Sequence, residues 1–209
     1  NGLLRFDKPP FYYWLMAILY SIPANERWDE LGSFSARLPS ALSGLFLMIM
    51  IADTIFCSNK NSKDKMPLSL IAALSFALSP LIIIWCRTAV SDSLLCASLG
   101  ASLLTFWRKF SSEEKNICIT PWLFLSIAIL TKGPVALVII LTTLFTFSLT
   151  HKNWQRFFFK INPLKGLILT FLISSPWYFI QLSYNGIAFW NSFFGYHNLQ
   201  RYTSVVNNH

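Results

Sequence analysis

Six long apolar runs, separated by short polar segments, constrain the fold of this chain more than any other feature. They cover residues 41–56, 67–85, 93–107, 117–130, 133–149 and 166–181. Each run is near the length that an α-helix needs to cross about 30 Å of hydrocarbon, and the shorter runs can add a turn from their flanks. Because a backbone in lipid must satisfy its own hydrogen bonds, such runs predict an all-α polytopic membrane protein.

The composition agrees with a membrane location. Of the 209 residues, 54% are hydrophobic and 12% are charged, against a charged share of about a quarter in soluble domains. The net charge of +8 lies in short loops and forms no continuous basic stripe, which argues against a nucleic-acid partner. The four cysteines show neither CxxC nor metal-type spacing, so we interpret them as small core residues.

The basic residues predict the orientation of the spans. Segments 60–65, 108–115 and 152–165 hold ten of the 17 Lys and Arg residues. They follow the first, third and fifth apolar runs, respectively. By the positive-inside rule they are cytoplasmic loops. A further run, 11–22, is either a seventh span or a helix in the membrane interface. We favour the interfacial helix, because a crossing there would separate Asp7 and Lys8 from the other unusual polar residues.

This orientation places a set of ionisable residues at one outer face of the membrane. They are Asp7, Lys8, Arg37, Arg87, Asp92, Lys132, His197 and Arg201. Such residues at membrane level are costly and indicate function, and the planar fork of arginine suits phosphate. For Lys132, two interpretations stay open: it snorkels from a short turn, or it binds an anionic headgroup.

Two acidic residues of this set each allow more than one role. Asp92 either caps the helix that begins at Ser93 or takes part in catalysis or sugar binding. Asp7 and His197 can offer an oxygen and a nitrogen to a divalent ion such as zinc, although two ligands distant in sequence do not define a metal site. Asp53 lies within an apolar run, close enough to its cytoplasmic end to reach water.

Six motifs resemble those of a known superfamily, in the same order and spacing. They are RFDKPPFYYWL, SARLPSAL, RTAVSDSLL, LTKGPVAL, SSPWYF and FFGYHNLQRY. Together they resemble bacterial GT-C glycosyltransferases of the aminoarabinose transferase and protein mannosyltransferase type. The resemblance spans nearly the whole chain and implies a partial GT-C module with about six transmembrane helices and one interfacial helix.

The resemblance also implies an activity and a set of site residues. The expected enzyme transfers a sugar from a polyprenyl-phosphate donor to a lipid or protein acceptor, on the periplasmic face of the bacterial inner membrane. Lys8 and Arg201 match the cations that hold the lipid phosphate, with Arg37, Arg87 and Lys132 as further substrate-binding candidates. Asp7 and His197 match a divalent metal site, where this sequence has aspartate in place of the family's glutamate.

The resemblance further implies that the chain is a single membrane-embedded domain, 1–209, truncated at both ends. The family's main catalytic acid would then lie upstream of Asn1, Asp92 would be a second catalytic candidate, and the fragment alone could be inactive. A different hypothesis is a transporter or flippase of lipid-linked sugars, which would use the same cations without chemistry. Transporters often show repeated halves, and no repeat is visible in this sequence.

Overall fold

The computed structural model describes residues 6–22, 29, 31–58, 63–111, 119–150 and 159–200, without the side chains of 197–200. This part of the chain is helical. Its elements are α1 (Phe11–Tyr20), α2 (Ser33–Ser58), α3 (Lys65–Ala77), α4 (Pro80–Arg87), α5 (Ser91–Ser111), α6 (Thr120–Lys132), α7 (Val135–Thr150), α8 (Pro163–Trp190) and a π-helix (Asn191–Gln200).

The helix lengths confirm the predicted all-α membrane fold and refine its spans. Among the described residues, α2 and the helical stretch Phe159–Tyr196 are long and apolar enough to cross a membrane, and α3 with α4 makes a third if that pair, bent by 62°, is one span. Helices α6 and α7 are apolar but shorter. At 10 residues, α1 is about 15 Å long, too short to cross and suited to the interface.

The side chain of Asp29 accepts hydrogen bonds from the first backbone N–H groups of helix α2. The Phe34 N–H donates to Asp29 Oδ1 at 3.0 Å, and the Ser35 N–H donates to Oδ2 at 2.7 Å. Burial raises the pKa of this carboxyl, but the backbone donors lower it more, so the net shift is downward. The first-turn N–H groups that a helix leaves unpaired are therefore satisfied by an ionised carboxylate.

Helices α2 and α5 run in the same direction. Near their starts, Ser40 Oγ donates to the Val90 carbonyl at 3.0 Å. Near their ends, Arg108 Nη1 donates to Asp53 Oδ2 at 2.5 Å. The Asp53 side chain is 49% exposed, as expected for an acidic residue that reaches water at the end of a span.

Helix α6 runs antiparallel to α5. At one end of the pair Ser102 Oγ donates to the Pro121 carbonyl at 2.9 Å, and at the other end Lys132 forms an ion pair with Asp92. We call the end of the bundle that holds Asp92 and Lys132 the site end, and the end that holds Asp53 and Arg108 the opposite end.

Helix α8 packs along α6 in the same direction. Thr170 Oγ1 donates to the Trp122 carbonyl at 3.3 Å, and Tyr178 Oη donates to the Ile129 carbonyl at 3.1 Å. The indole Nε1 of Trp122 donates to the Ile161 carbonyl at 3.1 Å. The directions of α2, α5, α6 and α8 match the alternation that the basic loops predict.

Trp122 is the largest fully buried side chain of the core, and Gly166 makes its position possible. The ring of Phe106 meets the indole edge-on, with centroids 5.2 Å apart. A Cβ built at Gly166 would overlap the indole ring. Close approach of two helices at a glycine is typical of membrane bundles.

Replacing Gly166 with alanine should therefore destabilise the protein by about 1–3 kcal/mol, the usual cost of overpacking a filled core. The measurement is the thermal midpoint of the purified protein in detergent. Gly195→Ala is the control, because a Cβ built at Gly195 meets nothing within 4 Å. Equal midpoints for the two variants would contradict the close packing of α6 against α8.

Candidate functional site

The segment before α1 is held in place by prolines and by an aromatic contact. Pro9 and Pro10 are buried, and the Trp14 N–H donates to the Pro10 carbonyl at 2.9 Å, which starts the helix. The ring of Phe6 packs edge-on against Phe189, with centroids 5.6 Å apart. Because proline restricts the backbone of the residue before it, Pro9 limits the conformations of Lys8, which is half-buried like its neighbour Asp7.

A buried tyrosine joins α1 to the starts of α2 and α5. The Tyr12 hydroxyl lies 2.9 Å from the Ala36 carbonyl and 2.8 Å from Ser40 Oγ. Ser40 Oγ in turn contacts Val90, and Ser93 Oγ donates to the Ser40 carbonyl at 2.7 Å. Burial raises the pKa of Tyr12, which keeps its proton available for these contacts. The interfacial helix is thereby tied to the first turn of α5.

Asp92 and Lys132 form the ion pair of the site end. Asp92 lies in the first turn of α5 and Lys132 in the last turn of α6. Each charge has the sign that its helix end favours, negative at an N-terminus and positive at a C-terminus. Their side chains are 30% and 36% exposed, so the pair can be reached from outside. The structure therefore supports a paired Lys132 more than a lysine that snorkels alone.

The chain reverses directly after Lys132. Gly133 has φ 93° and ψ −160°, a conformation that side chains disfavour, and its N–H donates to the Ile129 carbonyl at 2.8 Å. The Tyr178 hydroxyl donates to the same carbonyl. The turn that carries Lys132 is thus fixed by the local backbone and by α8.

An apolar groove of about 490 Å³ begins beside this turn. It runs between α6, α7 and α8, and its walls include Ile129, Pro134, Leu137, Phe171, Tyr178 and Trp190. Its hydroxyl groups are engaged locally, since Ser174 donates to the Thr170 carbonyl and Thr170 to that of Trp122. The volume is typical of ligand sites. One lining residue, Pro134, lies two positions after Lys132 in the chain.

The remaining predicted residues are less tightly placed. Arg37 lies exposed in the first turns of α2, and Arg87 lies exposed at the end of α4. Both belong to the site end, because Ala36 contacts Tyr12 and Val90 contacts Ser40. Arg201 and the His197 side chain lie outside the described residues, so the predicted phosphate site of Lys8 with Arg201 and the predicted metal site of Asp7 with His197 stay predictions.

The described residues form no group of three or more His, Cys, Asp or Glu side chains that could hold a metal ion. Asp7 is the described member of the predicted pair. It lies in the segment before α1, far from the acidic Asp92 in sequence and on a different element. The residues that the structure describes thus do not make a metal site.

Several residues of this region were not identified from the sequence. Tyr12, Ser40 and Ser93 join three elements, and Phe189 contacts the segment before α1. Residue type did not distinguish them, since serine and phenylalanine recur throughout the apolar runs and Tyr12 stands beside a second tyrosine, Tyr13. A partner in another helix distinguishes these side chains from their neighbours, and sequence spacing does not reveal it.

Comparison with known proteins gives consistent matches. The model of the family described as dolichyl-phosphate-mannose-protein mannosyltransferase matches residues 7–180. An uncharacterized protein of Aquifex aeolicus (strain VF5) is 31% identical over all of this chain and 44% of its own length. The undecaprenyl phosphate-alpha-4-amino-4-deoxy-L-arabinose arabinosyl transferase of Wigglesworthia glossinidia brevipalpis is 29% identical over 79% of this chain and 27% of its own length.

The fold also matches a solved structure. The crystal structure of ArnT from Cupriavidus metallidurans bound to undecaprenyl phosphate superimposes with a TM-score of 0.82 and 23% identity, covering 98% of this chain and 36% of that one. The chain therefore spans less than half the length of each of these relatives.

Proposed function

This chain belongs to the dolichyl-phosphate-mannose-protein mannosyltransferase family, and we propose that it forms part of an integral membrane glycosyltransferase. The enzyme moves a sugar from a polyprenyl-phosphate donor to a lipid or protein acceptor. By the distribution of basic residues, the reaction takes place on the outer, periplasmic face of the bacterial inner membrane.

The observation that carries this proposal is the apolar groove, which begins at Pro134, two positions after Lys132 of the Asp92–Lys132 pair. A polyprenyl-phosphate sugar has an anionic headgroup and a long apolar chain. A groove with apolar walls that begins beside a turn carrying a cation suits both parts of such a donor. The match to a solved relative bound to undecaprenyl phosphate supports the same donor class.

Lys8 is the first proposed ligand of the donor phosphate. In the reaction the bond between the anomeric carbon and the phosphate oxygen breaks, and polyprenyl phosphate leaves with the electron pair. A cation placed beforehand next to the departing oxygen stabilises that charge as it develops. Arg201 is proposed as the second ligand, and Arg37 and Arg87 as cations that attract the headgroup to the site end.

Asp92 and Lys132 are proposed to act on the sugar and the acceptor. The acceptor oxygen forms a bond to the anomeric carbon and loses its proton to a carboxylate or to water. Asp92 is the carboxylate that we assign to this task or to binding sugar hydroxyls. Lys132 orients Asp92 and contributes positive charge near the donor.

A divalent metal at Asp7 and His197 stays a prediction of the family resemblance. The described residues do not assemble a metal site, so no step of the proposed reaction passes through one. The metal content of the purified full-length protein and of its His197→Ala variant tests the hypothesis, and equal content would remove it.

Sugar transfer by the full-length protein is the direct test of the proposed function. The purified protein in detergent is mixed with a radiolabelled undecaprenyl-phosphate sugar and a lipid extract as the acceptor source. Label should move from the donor to a product that no longer carries the polyprenyl phosphate. A membrane-protein fraction replaces the lipid extract in a second reaction, and unchanged donor in both reactions would contradict an enzymatic function.

The broken helix favours a second candidate function. The chain between α3 and α4 bends by 62° at Leu78–Ser79, and discontinuous helices are typical of transporters. A lipid-linked-sugar transporter needs a closed membrane, whereas an enzyme also works in detergent. Movement of labelled donor across sealed vesicles without product in detergent would therefore favour transport.

The groove predicts that the enzyme depends on the length of the donor's apolar chain. Ser175 is half-buried in the groove wall, and Ser175→Phe would fill part of the channel. If the side chain displaces two or more carbons of the lipid, at about 0.8 kcal/mol for each, KM for an undecaprenyl donor should rise roughly tenfold. KM for a ten-carbon donor analogue should change little.

Ser183→Phe is the matched control for this prediction. Ser183 lies on the same helix, is exposed and does not line the groove. It should leave KM for both donors unchanged. An equal rise in KM for the long and the short donor in Ser175→Phe would mean that the substitution disturbs the protein and that the donor chain lies elsewhere.

A further inference from the structure

Two stacked phenylalanine rings lie between segments that carry proposed site residues. Phe189, at the end of α8, and Phe193, in the π-helix, have ring centroids 5.4 Å apart and planes inclined by 11°. Both side chains are buried, with 0% and 1% exposure. This stack is the centre of an aromatic cluster that also contains Phe6, Trp177, Tyr178 and Phe194.

One side of the stack contacts the segment that carries Lys8. Phe6 meets Phe189 edge-on at 5.6 Å between centroids, with an interplanar angle of 81°. One residue, Asp7, separates Phe6 from Lys8, and buried prolines follow. A short, restricted backbone thus links the position of Phe189 to that of Lys8.

The other side of the stack contacts the turn that carries Lys132. A Cβ built at Gly133 would lie 3.0 Å from Cζ of Phe193 and 3.8 Å from the hydroxyl of Tyr178. The ring of Phe193 therefore occupies the space that the absence of a side chain at Gly133 leaves open. Lys132 directly precedes that glycine and pairs with Asp92.

We propose that Phe193 is a positioning residue, which sets the place of Lys132 relative to Lys8 through Gly133 on one side and Phe189 on the other. The proposal rests on the proposed function, in which both lysines serve the polyprenyl-phosphate donor. A flat ring is required because it stacks on Phe189 with its face and reaches Gly133 with its edge. Leucine is similarly hydrophobic, but it has no ring face to stack on Phe189 and no ring edge to reach Gly133.

The test compares two identical substitutions at buried phenylalanines. Phe193→Leu alters the stack, whereas Phe106→Leu alters the contact with Trp122 in the α5–α6 core, away from the Lys8 segment and the Gly133 turn. Both variants of the full-length protein are purified in detergent. Their thermal midpoints are measured, together with their affinity for undecaprenyl phosphate, followed by tryptophan fluorescence.

Both leucine variants should lower the thermal midpoint, but Phe193→Leu alone should weaken undecaprenyl phosphate binding, by about tenfold. Phe193→Tyr should restore most of the affinity, since it keeps the ring. A role limited to stability would make the loss of affinity follow the loss of thermal midpoint in both leucine variants. Wild-type affinity in Phe193→Leu, or an equal loss of affinity in Phe106→Leu, would overturn the proposal.

Gly133→Ala tests the same contact from the other side and replaces Phe193→Leu if that variant does not fold. The added methyl group meets the Phe193 ring, so affinity should fall, and the double variant should bind no more weakly than the weaker single variant. Additive losses would contradict a shared contact. If the wild-type protein does not bind undecaprenyl phosphate, the proposed function fails and this inference fails with it. Wild-type binding that is insensitive to these substitutions overturns the inference alone.

Discussion

Replacing Asp92 with asparagine in the full-length protein should lower sugar transfer about a hundredfold. A charged hydrogen bond contributes about 1.5–3 kcal/mol, and a positioned acid or base typically about 10²–10⁴ in rate. Asparagine keeps the shape of the side chain but can neither accept a proton nor balance the charge of Lys132. The measurement is the initial rate of label transfer at saturating donor.

The matched control is the ion pair at the opposite end of the bundle. Asp53→Asn removes the partner of Arg108 and should leave the transfer rate within about twofold of wild type, because exposed pairs contribute little. A similar loss of activity in both variants would show that Asp92 acts through stability.

Exchanging Asp92 and Lys132 distinguishes the effect of the ion pair on stability from the effect of the carboxylate on the reaction. The variant Asp92→Lys with Lys132→Asp can re-form an ion pair, so it should recover more of the thermal midpoint than either single replacement. Its transfer activity should stay low, since the carboxylate has moved to the other helix. Recovery of activity with the exchanged pair would mean that the ion pair serves only to hold the two helices together.

Replacing Lys8 with alanine should reduce turnover about 10- to 100-fold, the effect of losing one charged hydrogen bond to the departing phosphate. Lys8→Arg should retain part of the activity, because the charge remains while its geometry changes. The rate is measured with undecaprenyl-linked donor at several concentrations, which separates binding of the donor from the chemical step.

Lys65→Ala is the control for this prediction. Lys65 begins α3, and its ammonium lies 4.8 Å from the ring centroid of Phe56 at the end of α2. The variant removes one positive charge from the opposite end of the bundle and should turn over at the wild-type rate. Wild-type activity in Lys8→Ala would exclude this lysine from the mechanism.

The proposed site unites charges that arrive on separate elements. Lys8 precedes the interfacial helix, Asp92 begins α5 and Lys132 ends α6. The Tyr12 network and the Phe189–Phe193 stack connect these elements through buried contacts. A change in a side chain that never meets substrate can therefore alter the spacing of those that do.

The sequence by itself determined the helices, their directions and the end at which the charges gather. Apolar runs in lipid must satisfy their backbone hydrogen bonds internally and therefore form helices. The positions of the basic loops predict that successive spans run in opposite directions. The turn after Lys132 was also readable, because Gly133 and Pro134 end one helix and begin another. These features depend on neighbours in the chain, which the sequence lists directly.

The tertiary structure alone decided which charged residues meet and what holds them. Lys132 pairs with Asp92, 40 positions earlier, and the sequence did not show that this acid rather than Asp7 would be its partner. The break between α3 and α4 and the roles of Tyr12 and Phe193 likewise came from packing. Such contacts join residues far apart in sequence, and their choice depends on how whole helix faces fit. Each ring and hydroxyl has many equivalents in the apolar runs, and only close packing distinguishes one from another.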